Sequence, residues 1–288
     1  MKILGLIGSA RKRGNGEVLV KEALIASRER GAEVRAIRLS DYKLLPCKGC
    51  LACVLKGEAC RLDDDMHSLW GQLQWAEGLV LSAPTYFLGA AGIIKLLIDR
   101  LFEYSFVLGQ MKRRPAGLIV TAGLHDWDPL SMPMLTILAG TLQLDIIDKM
   151  TAYRPGPAEV LLDEATLARA ATLGHALVER SAEQEPILWK PEEPRHCPQC
   201  GTPFIQFIEK DFVECALCLA RGRLYFQGDA IAIEWDKARG QNRWSTEALA
   251  EHFSKWVVKT GPVFLKHRKR LQTLLKRYDT VSIEPPPR

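Results

Sequence analysis

The sequence predicts an α/β protein: a doubly wound, five-stranded parallel sheet with helices on both faces, followed by a small C-terminal β module and terminal helices. Three observations carry that prediction. Short apolar runs alternate with amphipathic helical segments through residues 1–182, and five strands joined by helices give a parallel sheet with right-handed crossovers. A linker-like stretch over 183–195, holding three prolines and four glutamates, closes that pattern. Beyond it, short β-rich runs flanked by two Cys-x-x-Cys pairs (196–236) lead into a basic helical tail (237–288).

The elements follow from periodicity and punctuation. Residues 2–8 form a first buried strand, and 17–30 an amphipathic helix that Gly31 ends. Residues 33–39 alternate as the second strand. After an insertion carrying four cysteines, 78–83 is the third strand, stopped by Pro84, and 90–104 the helix behind it. Residues 116–121 are the fourth strand, 129–142 a helix, 144–150 the fifth strand and 164–181 a closing helix. In such sheets ligands bind beyond the C-terminal strand ends, near the topological switch point, so the site is sought there. In the second part, 204–209, 212–215, 223–226 and 230–235 are short strands. Ser245 caps a helix over 246–259, and Pro262 opens another over 262–278.

Composition narrows the function classes. With 47% hydrophobic and 25% charged residues the chain is ordinary globular protein, and 288 residues suit about two domains. No apolar run approaches the roughly 20 residues of a membrane span, and the opening MKILGLIG turns polar too soon for a secretory leader. The expected location is the cytoplasm. There thiols stay reduced, so two short-spaced cysteine quartets point to metal rather than to disulfides. The net charge of +5 is uneven: residues 1–188 hold 22 basic and 22 acidic side chains, residues 189–288 hold 17 and 12. No Ser-His-Asp arrangement, HExxH motif or separated carboxylate pair is present, which leaves hydrolase chemistry without residues.

The loop after the first strand, GSARKRGNG (8–16), is polar, glycine-rich and placed at a helix N-terminus, a setting for an anion. It matches neither G-x-G-x-x-G nor the P-loop pattern, and on its own it reads equally well as a solvated basic turn. Strand three ends in SAPTYF (82–87) and strand four in TAGLHD (121–126), supplying backbone donors, hydroxyls and aromatics beside that loop. A flat heteroaromatic ring needs such a slot. With GSARKRGNGE (8–17), SAPTYFLGAAGIIKLLIDR (82–100) and TAG (121–123) in this order, the first 180 residues resemble the NADPH-dependent FMN reductase family of flavodoxin-like proteins. The resemblance implies FMN as cofactor and NAD(P)H as a donor. It places Ser9, Arg11, Asn15 and Gly16 on the FMN phosphate, Pro84, Thr85, Tyr86 and Phe87 along the ribityl chain and ring, and Thr121 and Gly123 at the pyrimidine edge. Gly16 stands where that family usually has Ser or Thr, so one phosphate hydroxyl is missing, and Lys12 or Arg13 would replace it electrostatically. His125 and Tyr86 are the catalytic candidates, each with a structural alternative: a loop histidine, a packing tyrosine.

The first quartet, Cys47, Cys50, Cys53 and Cys60, has the spacing C-x2-C-x2-C-x6-C. Three thiolates at spacing three wrap one side of a cubane, whereas tetrahedral zinc more often uses two separated pairs. The pattern resembles the iron–sulfur flavoprotein branch of the same family. That likeness implies a [4Fe–4S] cluster near the flavin and a homo-oligomer, a homodimer or homotetramer, in which cluster and FMN of neighbouring subunits exchange electrons. A flavin–cluster pair suits exchange with a redox partner such as ferredoxin or NAD(P)H. Empty or redox-active thiols are the alternative, which leaves a cluster-free FMN or quinone reductase. Asp63, Asp64 and Asp65 read as the start of a helix, with no chemistry.

The second quartet, Cys197, Cys200, Cys215 and Cys218, pairs two Cys-x-x-Cys turns at strand ends and resembles a zinc ribbon. Structural zinc is the reading, with mononuclear iron as the redox alternative. From His252 to Tyr278 there are eight Lys or Arg and no Asp or Glu. The preferred reading is a helix whose apolar stripe packs on the ribbon, with nucleic acid or an acidic partner as the alternative.

Overall fold

In the computed structural model, residues 1–108, 110–180, 195–236 and 242–280 are described. The 183–195 linker expected from the sequence lies outside them except for Arg195.

The strands of the first domain are β1 (Lys2–Ile7), β2 (Glu33–Arg38), β3 (Gly78–Tyr86), β4 (Gly89–Ala90), β5 (Arg114–Ala122) and β6 (Leu144–Tyr153). Its helices are α1 (Asn15–Glu29), α2 (Ala52–Lys56), α3 (Met66–Trp75), α4 (Gly92–Arg100), α5 (Ser105–Leu108), α6 (Ser131–Thr141) and α7 (Glu164–Glu179). Five strands pair in parallel in the order β2-β1-β3-β5-β6, a flavodoxin-like sheet, and short β4 turns back antiparallel on the end of β3. The order reverses between β1 and β3, which sets the switch point there.

Strand alternation builds two cores. Ile3 and Ile7 of β1 face one layer with Leu19 and Val20 of α1 and Leu173 of α7; Leu4 and Leu6 face the other with residues of α3, α4 and α6. The first layer is closed by a near-contact of helices. A Cβ on Gly174 of α7 would sit 2.0 Å from the Ala23 carbonyl oxygen of α1, and Ser27 Oγ donates to the Gly174 carbonyl at 2.9 Å. Backbone cannot yield as a flexible side chain does, so Gly174→Ala should cost about 3 kcal/mol, the upper end for overpacking. Urea unfolding at an unchanged m-value measures it.

Two strand ends and the role of one acidic residue differ from the sequence expectation for physical reasons. Strand β3 does not stop at Pro84 but runs on to Tyr86. Its pairing with β1 ends at Ser82 while pairing with β5 continues to Pro84, so the missing N–H faces no neighbour on the β1 side. Strand β6 runs three residues past Met150 to Tyr153, paired with Ala122 of β5, which itself runs one residue past Thr121. The acidic run before α3 is more than a helix start. The Asp64 side chain is buried and ion-paired to buried Arg100 of α4, and its carboxylate also accepts from the Leu45 and Met66 N–H groups.

The C-terminal sheet is antiparallel, in the order β10-β9-β8-β7, from β7 (Ile205–Glu209), β8 (Phe212–Cys215), β9 (Arg221–Gln227) and β10 (Ala230–Trp235). It is seated on the first domain. Gly140 of α6 lies flat against Trp244, Gln143 Nε2 donates to the Trp244 carbonyl at 2.9 Å, and Lys149 Nζ reaches the Cys200 carbonyl. The tail departs from expectation. α8 (Thr246–Glu251), capped by Ser245, a π-helical turn (His252–Val257) and α9 (Val258–Leu275) form one continuous helix with Pro262 inside it, not at its start. Its Leu249 and Phe253, with half-buried Val257 and Val258 beside them, pack into the α3–α4–α6 core rather than on the ribbon, and no residue of α9 is fully buried. No helix among the described residues is long and apolar enough to cross a membrane.

Candidate active site

The C-terminal strand ends converge on a cleft of about 120 Å³ lined by Ser9, Arg11, Asn15, Gly16, Pro84, Thr85, Tyr86, Thr121 and Gly123, together with Gly14, Ala122, Arg154 and Pro155. The fold thus gathers nine of the ten residues that sequence reasoning assigned to the cofactor; Phe87 stands outside, fully exposed on the rim. That enclosed volume suits a phosphoryl head rather than a drug-sized ring system, whose pockets run to roughly 300 Å³ and more. A ring's share of the site is the open rim, where Tyr86, Phe87, Leu88, Leu124, Trp127 and Leu130 are all exposed.

The floor of the cleft is an anion cradle. Helix α1 starts at an N-cap, Gly14, with no side chain to satisfy its first N–H groups, which therefore point at any bound anion. A Cβ on Gly16 would come 3.3 Å from Ser82 Oγ, and that hydroxyl is buried without a hydrogen-bond partner. The hydroxyl that Gly16 lacks is thus faced by an unsatisfied one from β3, and the residues present fit a phosphate. Gly16→Val would fill this gap and should abolish retention of FMN through gel filtration while leaving the melting curve near that of FMN-free wild type.

The loop is braced from behind. Glu17 accepts from Lys21 Nζ at 2.6 Å, Arg38 Nη2 at 2.7 Å and the Arg13 N–H at 2.6 Å, and Arg38 Nη1 donates to the Ser9 and Arg11 carbonyls at 3.3 and 3.0 Å. Burial pushes the Glu17 carboxyl up, but the bonds from Lys21, Arg38 and Arg13 overcome it and bring it down to about 2. A folded-state pKa below the unfolded value means stability that is complete above about pH 4.5 and is lost as pH falls toward 2. Glu17→Gln should accordingly melt below wild type at pH 7, with the gap closing as both are titrated toward pH 2.

Asn15 plays a part the sequence did not reveal. Its Nδ2 donates to the Arg154 and Gly156 carbonyls at 2.8 and 2.9 Å and its Oδ1 accepts from the Val160 N–H at 3.3 Å. The carboxamide ties the loop after β6 against the cleft, and only the backbone of Asn15 is left for an anion. That loop contributes Arg154 and Pro155, which the sequence reading missed because it ended the fifth strand early. The rule used for the other loops, C-terminal strand ends at the switch point, would have found them. Across the rim, Thr85 Oγ1 and Ser131 Oγ lie 2.8 Å apart and the Leu130 N–H donates to the Leu88 carbonyl at 2.9 Å, stapling the two aromatic loops. His125 does not line the cleft. It stacks on Tyr153 at 3.7 Å, whose hydroxyl donates to Asp128 at 3.2 Å.

The two cysteine quartets are built differently. Cys197, Cys200, Cys215 and Cys218 are all buried, with every sulfur within 4.8 Å of the others. Zn–S bonds of about 2.3 Å would set sulfurs about 3.8 Å apart, so this set suits one tetrahedral ion. Among the described residues it is the one group of three or more such ligands that closes in this way. Cys47 and Cys50 are exposed, Cys53 and Cys60 half-buried. Burial pushes the Cys53 thiol up, and Cys60, Cys50 and Cys47 are near enough to push it further. The loop thus collects four thiols without the tight closure of a mononuclear site. It hangs on α4: Arg100 Nη1 donates to the Leu45 carbonyl at 3.0 Å, and Glu103 takes the Cys60 N–H at 3.4 Å.

A flavodoxin-like sheet whose switch point carries an anion cradle under an aromatic rim defines a flavin-dependent oxidoreductase. Residues 1–148 match the model of the NADPH-dependent FMN reductase family, and the chain belongs to that family, with FMN as its cofactor. It is 41% identical over 100 residues to an iron–sulfur flavoprotein of Methanocaldococcus jannaschii, a match covering 35% of this chain and 51% of that protein, about half its length. It is 30% identical over 200 residues to an iron–sulfur flavoprotein of Archaeoglobus fulgidus, covering 62% of this chain and 94% of the relative. Among solved structures a flavone reductase superposes with a TM-score of 0.78 over 100% of both chains at 19% identity, a likeness of fold.

Proposed function

We propose that this oxidoreductase moves electrons between FMN in the strand-end cleft and a [4Fe–4S] cluster on Cys47, Cys50, Cys53 and Cys60, with NAD(P)H or ferredoxin as external partner and zinc held by the second quartet. The observation that carries the reading is the contrast between the quartets: four thiols gathered in one loop yet not closed on a single ion, beside four that are. The names of the M. jannaschii and A. fulgidus relatives support it. FMN would supply the conversion of hydride pairs to single electrons, and a cluster the one-electron exit. The chain's own contribution is positional. Ser9, Arg11, Ser82 and the α1 N-terminus hold the phosphate, Thr85 and Ser131 fix the aromatic rim, and Arg100 with Glu103 sets the cysteine loop. The thiol loop is held at the C-terminal end of α4, through Arg100 and the following Glu103.

A second reading, cluster-free reduction of a quinone-like acceptor, is favoured by the exposed apolar rim and separates cleanly. Under anaerobic conditions Cys53→Ser should leave flavin reduction by NAD(P)H intact and abolish transfer to a one-electron acceptor. Unchanged transfer in that variant would establish the second reading. A binding role through the basic tail predicts nucleic-acid retention at low salt that is lost when residues 266–270 are neutralised.

A further inference from the structure

The arm formed by α8, the π turn and α9 is packed at its root and carries a bare stripe beyond it. From Val263 to Tyr278, apolar side chains recur at 263, 264, 271, 274, 275 and 278, one face of a helix in near-heptad spacing. Val263 is 60% exposed, Phe264 55%, Leu274 55% and Tyr278 66%. Isolated exposed apolar residues need no explanation, but a stripe roughly 22 Å long at 1.5 Å per residue is a contact surface.

At the root of the same arm lies a groove of about 850 Å³, walled by Phe102, Leu108, Leu219, Trp244 and Phe253. Its walls also include Glu247 and Glu251. The arm cannot fill its own groove. The helix is continuous from Thr246 to Leu275 and leads away from its root, so the stripe is carried about 27 Å beyond it along α9. Two α9 helices paired side by side would set Arg268, Arg270 and Arg277 beside the seam of an identical basic helix, a like-charge cost. The groove offers the opposite sign. The segment from His252 to Tyr278 has eight basic and no acidic residues, while Glu247 and Glu251 stand at the groove. Among the described residues Glu251 is paired with an exposed i,i+4 partner, Lys255 at 3.1 Å, a weak tie that leaves it able to meet another cation.

We propose that two copies of this chain exchange arms: α9 of each lies with its apolar stripe in the α4–α5–α8 groove of the other, its basic flank against Glu247 and Glu251. The contact is isologous, so every interaction is made twice. The exchange rests on helix and groove and not on the redox reading.

Light scattering on the full chain at micromolar concentration should give twice the 32.3 kDa chain mass. Two variant pairs then locate the contact. Leu271→Glu with Leu274→Glu on the stripe, and Glu247→Lys with Glu251→Lys on the groove, should each weaken the dimer by about 100-fold or more, with circular dichroism and FMN content unchanged. A photoreactive residue at position 274 should crosslink to peptides spanning 98–108 or 244–253 of a differently isotope-labelled copy. Three results would overturn the proposal: a monomer at every concentration, a dimer that the groove pair leaves untouched, or crosslinks only between α9 segments.

Discussion

Serine at Cys215 and Cys218, or a chelator strong enough to strip the second quartet, should unfold the C-terminal sheet and leave the first domain standing. The core of that sheet is little more than its four cysteines with Leu217 and Ala220, against which Ile137, Phe204, Trp235 and Trp244 rest. So few apolar groups cannot offset the conformational entropy of some 40 residues, about 1–2 kcal/mol each for the backbone alone. The zinc proposed for the second quartet would contribute on the order of 10 kcal/mol, and losing it would exceed any stability the sheet has left. The two cores of the first domain contain none of these residues, so β1–β6 should survive. Hydrogen exchange reads this directly: protection at 205–235 disappears, protection in β1, β3 and β5 persists. The neighbouring edge should loosen, because Gly140 packs on Trp244, Gln143 bonds its carbonyl and Lys149 reaches Cys200. Full protection after chelation would mean that the sheet stands without metal.

Asp64→Ala should destabilise the first domain by about 3 kcal/mol or more. Asp64 and Arg100 are each 2% exposed, and deleting one partner of a buried pair leaves the other charge in low dielectric. Arg100 would keep Glu103 at 3.2 Å and the Leu45 carbonyl, which holds the loss to the lower end of the usual range. The same carboxylate accepts the Leu45 and Met66 N–H groups, so its removal also frees the start of the cysteine loop. Burial raises the Asp64 carboxyl, but the hydrogen bonds from Arg100, Leu45 and Met66 outweigh it and hold it below its ordinary value of 3.8. Its stabilisation is therefore complete above pH 3.8 and fades as pH falls further. Denaturant midpoints of wild type and variant should differ at pH 7 and converge in stronger acid. A difference that is constant with pH would show that packing, not charge, is what Asp64 supplies.

Much of this was legible in the sequence because period and punctuation act locally. The parallel sheet followed from short apolar runs spaced by amphipathic ones, and the cleft from loops placed after strands one, three and four. What escaped depends on contacts between distant residues. Pro84 is a strand breaker only where a neighbour needs its N–H, and whether β1 is still alongside at that point is a tertiary fact. Asp64 looked like a helix start until Arg100, 36 residues on, supplied its partner. Asn15 was assigned to an anion because its type and place suit one, yet the loop 139 residues away claims its carboxamide. The tail was expected to lie on the ribbon because its stripe had to lie on something; the first domain takes Leu249, Phe253, Val257 and Val258, and the stripe from Val263 onward is left outward.

The most direct test is an iron, sulfide and zinc assay with a visible spectrum on protein purified without oxygen. Four iron and four sulfide per chain, one zinc and a flavin spectrum overlaid by broad cluster absorption are the expected result. Flavin and zinc without iron or sulfide would contradict it: Cys47, Cys50, Cys53 and Cys60 would then be free or redox-active thiols, and the chain a simple flavin reductase.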